Sequence, residues 1–369
     1  MRFVTALLSM MLAGIVSAGG AAGASTIVAL QDDRLTTWPA QTIDERASLI
    51  AETGVSWTRV DVLWRDIAPT RPARPADPTD SAYRWERLDS ALRALDNRDV
   101  RVLLAVYYSP AWTTGGVDDP RLAPDPDDYA AFMVAIGRRY SGDFLAGLQP
   151  APGPPLPRVA HFEIWNEPNL DFFFRPQWRQ VAGEWRPASP GLYAELVKTV
   201  HPRLRRARPD AQIIIGALGP TNTTNPPGTV GIEDFIAALG RADVPVMAAS
   251  QHIYPGAEPG KSGALPSIQG LPRILDLWDE VRPGLPLYIT EAGYTTEPNP
   301  NRAYAVDEQT QAEYLPRLLA GLAQPRVRMI VWYHLQDHRD WASGLLAEDG
   351  RRKDSWDAFD RTRREIESP

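Results

Sequence analysis

The chain has no cysteine. Disulfides, thiolate catalysis, iron–sulfur clusters and cysteine-ligated zinc are therefore excluded, and so is a lipid anchor on an N-terminal cysteine. Lysine is nearly missing too: Lys198, Lys261 and Lys353 are the whole set, and arginine supplies the other basic residues. No basic block stands out, the net charge is −7 and the pI is about 5.4. Nucleic acid and anionic membrane surfaces are therefore not expected partners. Beyond the N-terminal segment no apolar run has the length of a transmembrane helix. No internal repeat is found apart from the alternating unit described below.

What is present begins with a leader. Arg2 supplies a positive start, residues 4–16 form an apolar core too short to span a bilayer comfortably, and small residues follow. Residues 1–24 read as a secretory signal peptide cleaved after Ala18 or Ala24, which predicts a secreted or periplasmic protein without stable membrane insertion after cleavage. The remaining residues, 25–369, have the composition and length of a large globular unit.

Strand-like and helix-like segments alternate along that unit. Strands are predicted at 26–30, 55–62, 102–108, 159–165, 213–218, 244–254, in the run ending at Glu291, and at 327–333. The segment 102–108 is apolar throughout, as a strand covered on both faces must be. Helices are predicted at 43–53, 85–97, 128–140, 192–204 with a break at Pro202, 232–239, 268–278, 306–322 and 355–366; Leu88, Leu92 and Leu95 illustrate the helical spacing. Alternating strand and helix means a parallel sheet, and eight units are the number that closes a single (β/α)8 TIM barrel. The competing architecture, an open doubly wound sheet, usually carries a glycine-rich phosphate loop after its first strand; here that position reads Gln31-Asp32-Asp33-Arg34.

In a barrel all strand C-termini face one rim, where active sites lie. The fourth strand ends in Asn166-Glu167-Pro168 and the seventh in Thr290-Glu291-Ala292-Gly293. A carboxylate at the tip of a buried strand is costly to desolvate without partners, which marks both glutamates as candidates for chemistry. Two such groups on roughly opposite sides of a barrel suit glycosidic bond cleavage by an acid and a carboxylate nucleophile. Other strand tips contribute Arg59, Trp112 just beyond the third strand, His252, Tyr254 and Trp332. Glu163, inside the fourth strand, reads as a pore-facing or paired structural acid. His334, Asp337 and His338 lie past the eighth strand and read as a loop, so no metal site and no cofactor are expected.

Trp165-Asn166-Glu167-Pro168-Asn169 and Thr290-Glu291-Ala292-Gly293 resemble the acid/base and nucleophile motifs of the barrel-fold retaining glycoside hydrolases of clan A. Asn169-Leu170 with Phe172-Phe173-Phe174 is similar to family 39 and its relatives, with family 5-like cellulases as an alternative. Trp57-Thr58-Arg59-Val60-Asp61 with Trp64, and His252-Ile253-Tyr254, match the clan's second and sixth strands. The resemblance covers nearly the whole unit. It implies that Glu167 protonates the leaving oxygen and later activates water, that Glu291 attacks the anomeric carbon, and that Asn166 binds the sugar 2-OH. It implies further that Arg59 keeps Glu291 ionised, that His252 and Tyr254 hold the carboxylates in register, and that Trp332 forms the floor under the sugar. Trp112 joins as a stacking candidate. The expected protein is a monomeric retaining glycosidase acting on a polysaccharide or oligosaccharide, without a second domain. The reading from another class is a catalytically silent barrel that binds polysaccharide.

Overall fold

The computed structural model describes residues 25–146, 154–299 and 304–368; the leader predicted at 1–24 lies outside them. The predicted strands pair into one closed ring: β1 (Ile27–Gln31), β2 (Trp57–Leu63), β3 (Arg101–Tyr107), β4 (His161–Ile164), β5 (Gln212–Leu218), β6 (Ala248–Ile253), β7 (Leu287–Ala292) and β8 (Val327–Tyr333). Every pairing is parallel, and β8 closes against β1 with Ile27 opposite Met329 and Gln31 opposite Tyr333. A parallel connection requires a crossover, and each strand is followed by one long helix. These are α1 (Ile43–Glu52), α2 (Glu86–Asp96), α3 (Pro126–Arg139), α4 (Ser189–Ala207), α5 (Ile232–Arg241), α6 (Leu271–Val281), α7 (Glu308–Leu322) and α8 (Asp354–Glu367). The fold is the expected (β/α)8 barrel rather than an open sheet.

Local chemistry sets the helix ends. Asp125 accepts hydrogen bonds from the backbone N–H groups of Asp127 and Asp128, and Pro126 occupies the first turn, so α3 starts two residues before the predicted start. Asp307 caps α7 through the N–H of Thr310. The break predicted at Pro202 does not occur; α4 runs through it to Ala207. Pro202 lies on the solvent face, where the carbonyl that loses its partner can turn to water, while Val197, Val200 and Leu204 stay buried on the other face. A second difference is an antiparallel hairpin, Trp178–Val181 with Glu184–Pro187, between β4 and α4. Its turn residues Ala182 and Gly183 both have positive φ, 52° and 84°. Such a turn favours Asn-Gly, and alanine in the first place concealed it.

Strand alternation divides the interior in two. Outward residues such as Val28, Val60, Val62, Leu104, Phe162, Ile213 and Ile330 pack under the helices. Inward residues at the lower end, Ala29, Trp57, Leu103, Ile214, Ala248, Met329 and Val331, form a separate apolar plug. Above that plug the inward positions become polar: Gln31, Arg59, Glu163, His252 and Glu291, all buried. Among the described residues no helix is long and apolar enough to cross a membrane.

Candidate active site

The polar layer is built on Arg59. Alternation on β2 turns Trp57, Arg59 and Asp61 inward, and register places Arg59 beside Gln31. A buried guanidinium is tolerable only when its donors are used. Here Nε donates to Glu163 Oε2 at 2.8 Å, Nη1 to Gln31 Oε1 at 2.8 Å and to Glu291 Oε1 at 3.0 Å, and Nη2 to Asn166 Oδ1 at 2.7 Å. Asp61 Oδ1 lies 3.3 Å from Nη1. Burial works against the charge of Arg59, but Glu163, Asp61 and Glu291 outweigh it and hold the guanidinium protonated well above its ordinary range. Glu163 is the paired structural acid that its mid-strand position suggested.

The tip of β4 is shaped by the backbone. Trp165 and Glu167 have φ of 65° and 41°, the left-handed region that side chains avoid. The turn is held from several sides. Glu167 N–H donates to Ala217 O at 3.0 Å, Asn169 exchanges two hydrogen bonds with the Gly219 backbone, and the Trp165 indole N–H donates to Phe173 O. Gly219 leaves little room there: a Cβ would come within 2.4 Å of Leu170 Cδ1 and 3.1 Å of Glu167 Cδ.

Glu167 and Glu291 converge on His252. Register pairs His252 with Glu291, and its Nδ1 lies 2.8 Å from Glu167 Oε1 and 3.4 Å from Glu291 Oε2. The other oxygen of Glu291 takes the bond from Arg59, and Tyr254 donates its hydroxyl to Oε2 at 2.7 Å. Burial, and to a lesser degree the charge of Arg59, holds the imidazole well below its ordinary value, so it is neutral at pH 7. Burial, then the charge of Glu291, keeps the Tyr254 hydroxyl protonated. Burial pushes the Glu291 carboxyl well above the usual carboxylate range and the nearby Glu167 charge adds to that, while Arg59 and Tyr254 pull it down. Against the expectation that Arg59 keeps Glu291 ionised, burial outweighs the guanidinium, which is divided among Glu163, Asp61 and Glu291. Like charges this close titrate as a set.

One ligating atom from each of Glu167, His252 and Glu291 falls within a 4.8 Å span. Among the described residues this is the arrangement with the spacing a divalent cation would need, although each of the three also serves the hydrogen bonds above. His334, by contrast, is buried with its pKa lowered to about 3, and Asp337 is paired with Lys353 Nζ at 2.5 Å.

Five rim residues had no assigned role in the sequence. Asp61 Oδ2 accepts from Tyr107 Oη at 2.9 Å and from Gln31 Nε2 at 3.2 Å. Asp33 accepts from the same Gln31 amide at 2.8 Å and from Tyr333 Oη at 2.6 Å. Burial raises Asp61 to about 7 despite Arg59. Counting two residues on from Arg59, and noting that Gln31 faces both β2 and β8, would have found them. Trp332 differs from expectation by one strand position. Its side chain is fully buried in the outward layer with its indole N–H on Ser343 O, and the partly exposed Tyr333 is the inward residue. Strand alternation is the reason. Trp112 sits at the rim half-buried; its indole N–H donates to Ala68 O and its ring meets Trp64 edge-on.

No protein-family model matches the chain, and no curated protein matches it by sequence. Solved structures match over most of its length. A family 39 glycoside hydrolase from the gut symbiont Bacteroides cellulosilyticus superposes with a TM-score of 0.60 at 19% identity, covering 92% of this chain and 63% of that one. A glucosidase from Croceicoccus marinus gives 0.67 at 14% identity, covering 93% and 68%. The family 5, subfamily 18 protein from Streptomyces cattleya, solved with GlcNAc, gives 0.65 at 16% identity, covering 94% and 82%. The chain therefore spans less than two thirds of the first of these, and what the three share with it is the barrel fold.

Proposed function

We propose that the chain is a glycoside hydrolase that cleaves O-glycosidic bonds in an oligosaccharide or polysaccharide by double displacement, with retention at the anomeric carbon. The observation that carries this reading is the convergence of Glu167 and Glu291, from β4 and β7, on His252 Nδ1 at 2.8 and 3.4 Å. An oxygen of each lies within 4.8 Å of an oxygen of the other. That supports direct attack, for which carboxyl separations of about 5–5.5 Å are usual, over an inserted water, which needs about 6.5–9.5 Å.

Glu291 attacks the anomeric carbon as Glu167 gives its proton to the departing oxygen; a glycosyl ester on Glu291 forms and the glycosidic C–O bond breaks. Glu167, now a carboxylate, takes a proton from water, whose oxygen displaces Glu291 from the same carbon. Asn166, anchored by Arg59 Nη2, presents its amide to the sugar 2-OH. Tyr254 and Arg59 stabilise the carboxylate that Glu291 becomes on departure, and Tyr333 and Trp341 offer partly exposed rings beside it. The likeness to family 39 and family 5 barrels is consistent with this chemistry. Export through the 1–24 leader and a monomeric state belong to the same proposal.

Azide rescue tests it. Glu291→Ala should lose hydrolysis of activated glycosides and regain it with azide, yielding the glycosyl azide of inverted configuration. Inverted sugar released by the unmodified protein would overturn retention, and sugar binding without turnover would favour the silent barrel.

A further inference from the structure

The polar layer holds two acids that the proposed reaction does not use. Asp33 follows β1 and Asp61 lies on β2, and both are partly exposed. The side-chain amide of Gln31 bridges them: Nε2 donates to Asp33 Oδ1 at 2.8 Å and to Asp61 Oδ2 at 3.2 Å, while Oε1 accepts from Arg59. Tyr333 at the end of β8 donates its hydroxyl to Asp33 Oδ2 at 2.6 Å, and Tyr107 at the end of β3 donates to Asp61 Oδ2 at 2.9 Å. Each of these donors is thereby committed. What remains for a ligand is a set of acceptors, the carboxylate and phenolic oxygens. Asp61 Oδ1 accepts no hydrogen bond, although it lies 3.3 Å from Arg59 Nη1.

The charge around these acids is one-sided. Arg59 is the cation that faces Asp61, and it is shared with Glu163 and Glu291. Asp33 is held by two neutral donors and has no ion pair among the described residues. The neighbouring Arg34 is engaged elsewhere, with Nη2 on Asp337 O at 2.6 Å and its guanidinium over the Trp38 ring at 4.1 Å. Arg65 lies over Tyr108 and beside Asp66. Burial raises Asp61 although Arg59 lowers it, and Asp33 and Glu163 add to the rise, so in the free protein a proton supplies charge that the cluster lacks. Gathering acceptors and negative charge in a half-buried place is unfavourable until a complementary group arrives.

We propose that Asp33 and Asp61 bind the protonated amino group of an amino sugar, so that the substrate is a saccharide with a free, non-acetylated amine on the non-reducing side of the cleaved bond. The inference rests on the glycosidase reading and names a substrate class for it. Glu167, which protonates the leaving oxygen, stands on the leaving-group side at β4. In the ring β8 and β1 lie across from β4, so groups meeting Asp33 and Asp61 belong to the part of the saccharide that stays on Glu291. An ammonium brings three N–H donors, no acceptor and a positive charge, which is the complement of this cluster. A hydroxyl brings one donor and no charge. An acetamide adds a carbonyl oxygen, and Gln31, Tyr107 and Tyr333 have no donor left to receive it.

Three tetrasaccharides separate the possibilities: β-1,4-linked glucosamine, N-acetylglucosamine and glucose share a backbone and differ only in the substituent at C2. Glu167→Gln cannot protonate an oligosaccharide leaving group, so calorimetry on that variant measures binding without turnover, at about pH 6 where the amines are charged. The glucosamine tetramer should bind roughly tenfold more tightly than either neutral one. Adding Asp33→Asn should remove that preference and leave the affinity for the neutral tetramers unchanged. Adding Asp61→Asn instead should do the same, and it reads the site even if the Asp33 variant folds poorly. Equal or weaker binding of the glucosamine tetramer would overturn the proposal. So would a preference that survives in both asparagine variants, which would place the amines elsewhere on an acidic surface, or an equal loss for all three tetramers, which would make the acids ligands of hydroxyls. The glycosidase reading is judged separately by azide rescue at Glu291, so its failure and the failure of this inference are distinguishable.

Discussion

At the scale of single residues the site is a problem of surplus negative charge. Asp61, Glu163 and Glu291 surround one guanidinium, Glu167 stands close to Glu291, and His252 adds no charge because burial keeps it neutral. Protons must make up the difference. In the proposed reaction Glu291 must be ionised to attack, and its folded pKa is raised; activity should therefore rise with pH through a limb lying above the usual carboxylate range. Glu167 contributes to that raise, so Glu167→Gln should move the acid limb to lower pH when a glycosyl fluoride, which needs no proton from Glu167, is the substrate. A pH–rate profile of kcat/KM decides this; a limb that stays in place would separate the two groups. Asp61 provides a stability test. Burial pushes its pKa up to about 7 in the folded protein, from the 3.8 usual for an aspartate in water. A raised value favours the protonated folded state, so stability is fully present below about 3.8 and is lost as pH rises through about 7. Asp61→Asn should match the parent at low pH and exceed it at pH 8, by a few kcal/mol at most, in urea unfolding at several pH values.

Single elements set where the acid stands. The β4 tip has Trp165 and Glu167 at positive φ and rests against β5 through Ala217 and Gly219. Because the space at Gly219 is closed by Leu170 and by the Glu167 carboxyl, Gly219→Ala must displace one of them. The expected cost in stability is about 1–3 kcal/mol. The expected kinetic signature is a larger loss with poor leaving groups than with good ones, because only the former depend on a placed proton. A series of aryl glycosides of graded phenol pKa measures it, and a uniform loss across the series would point to general destabilisation. The β8 segment makes a related point: one position along the strand separates Trp332, which holds the outer layer, from Tyr333, which faces Asp33 and Trp341.

For the whole molecule the division is between an apolar plug at one end of the barrel and a polar layer at the other. The plug of Trp57, Leu103, Ile214, Met329 and Val331 closes the lower end, so substrate can enter only from the rim. The chemistry assigned to Glu167 and Glu291 needs no cation, yet those residues and His252 have a spacing that could bind one. Hydrolysis that persists after prolonged EDTA treatment, and that added zinc or manganese slows by occupying the carboxylates, is the expected outcome; loss with EDTA and recovery with metal would replace double displacement with metal-assisted hydrolysis. Exported protein should begin after Ala18 or Ala24 by intact mass, and light scattering should give one chain per particle.

The barrel, its eight-fold alternation and the two strand-tip glutamates were readable from the chain because each depends on local pattern. Buried parallel strands are apolar runs, helices carry a 3.6-residue stripe, and Asn-Glu-Pro or Glu-Ala-Gly at a strand end is contiguous sequence. Arg59 was also legible as an ion-pairing residue, since a charge within a buried strand must have a partner. Which partners it has was not legible. Gln31, Glu163, Asn166 and Glu291 come from three different strands or their tips, and closure of the ring with its register brings them to one guanidinium. The same closure made Tyr333 rather than Trp332 the inward ring and gave Asp61 a burial that raises its pKa to about 7. Pro202 and the Ala182-Gly183 turn escaped for a related reason: a propensity is a local energy of a few kcal/mol or less, and packing of the rest of the helix or hairpin outweighed it. Local pattern was enough to identify the fold and the acidic pair, while the charge state and the facing side chains exist only once distant strands are neighbours.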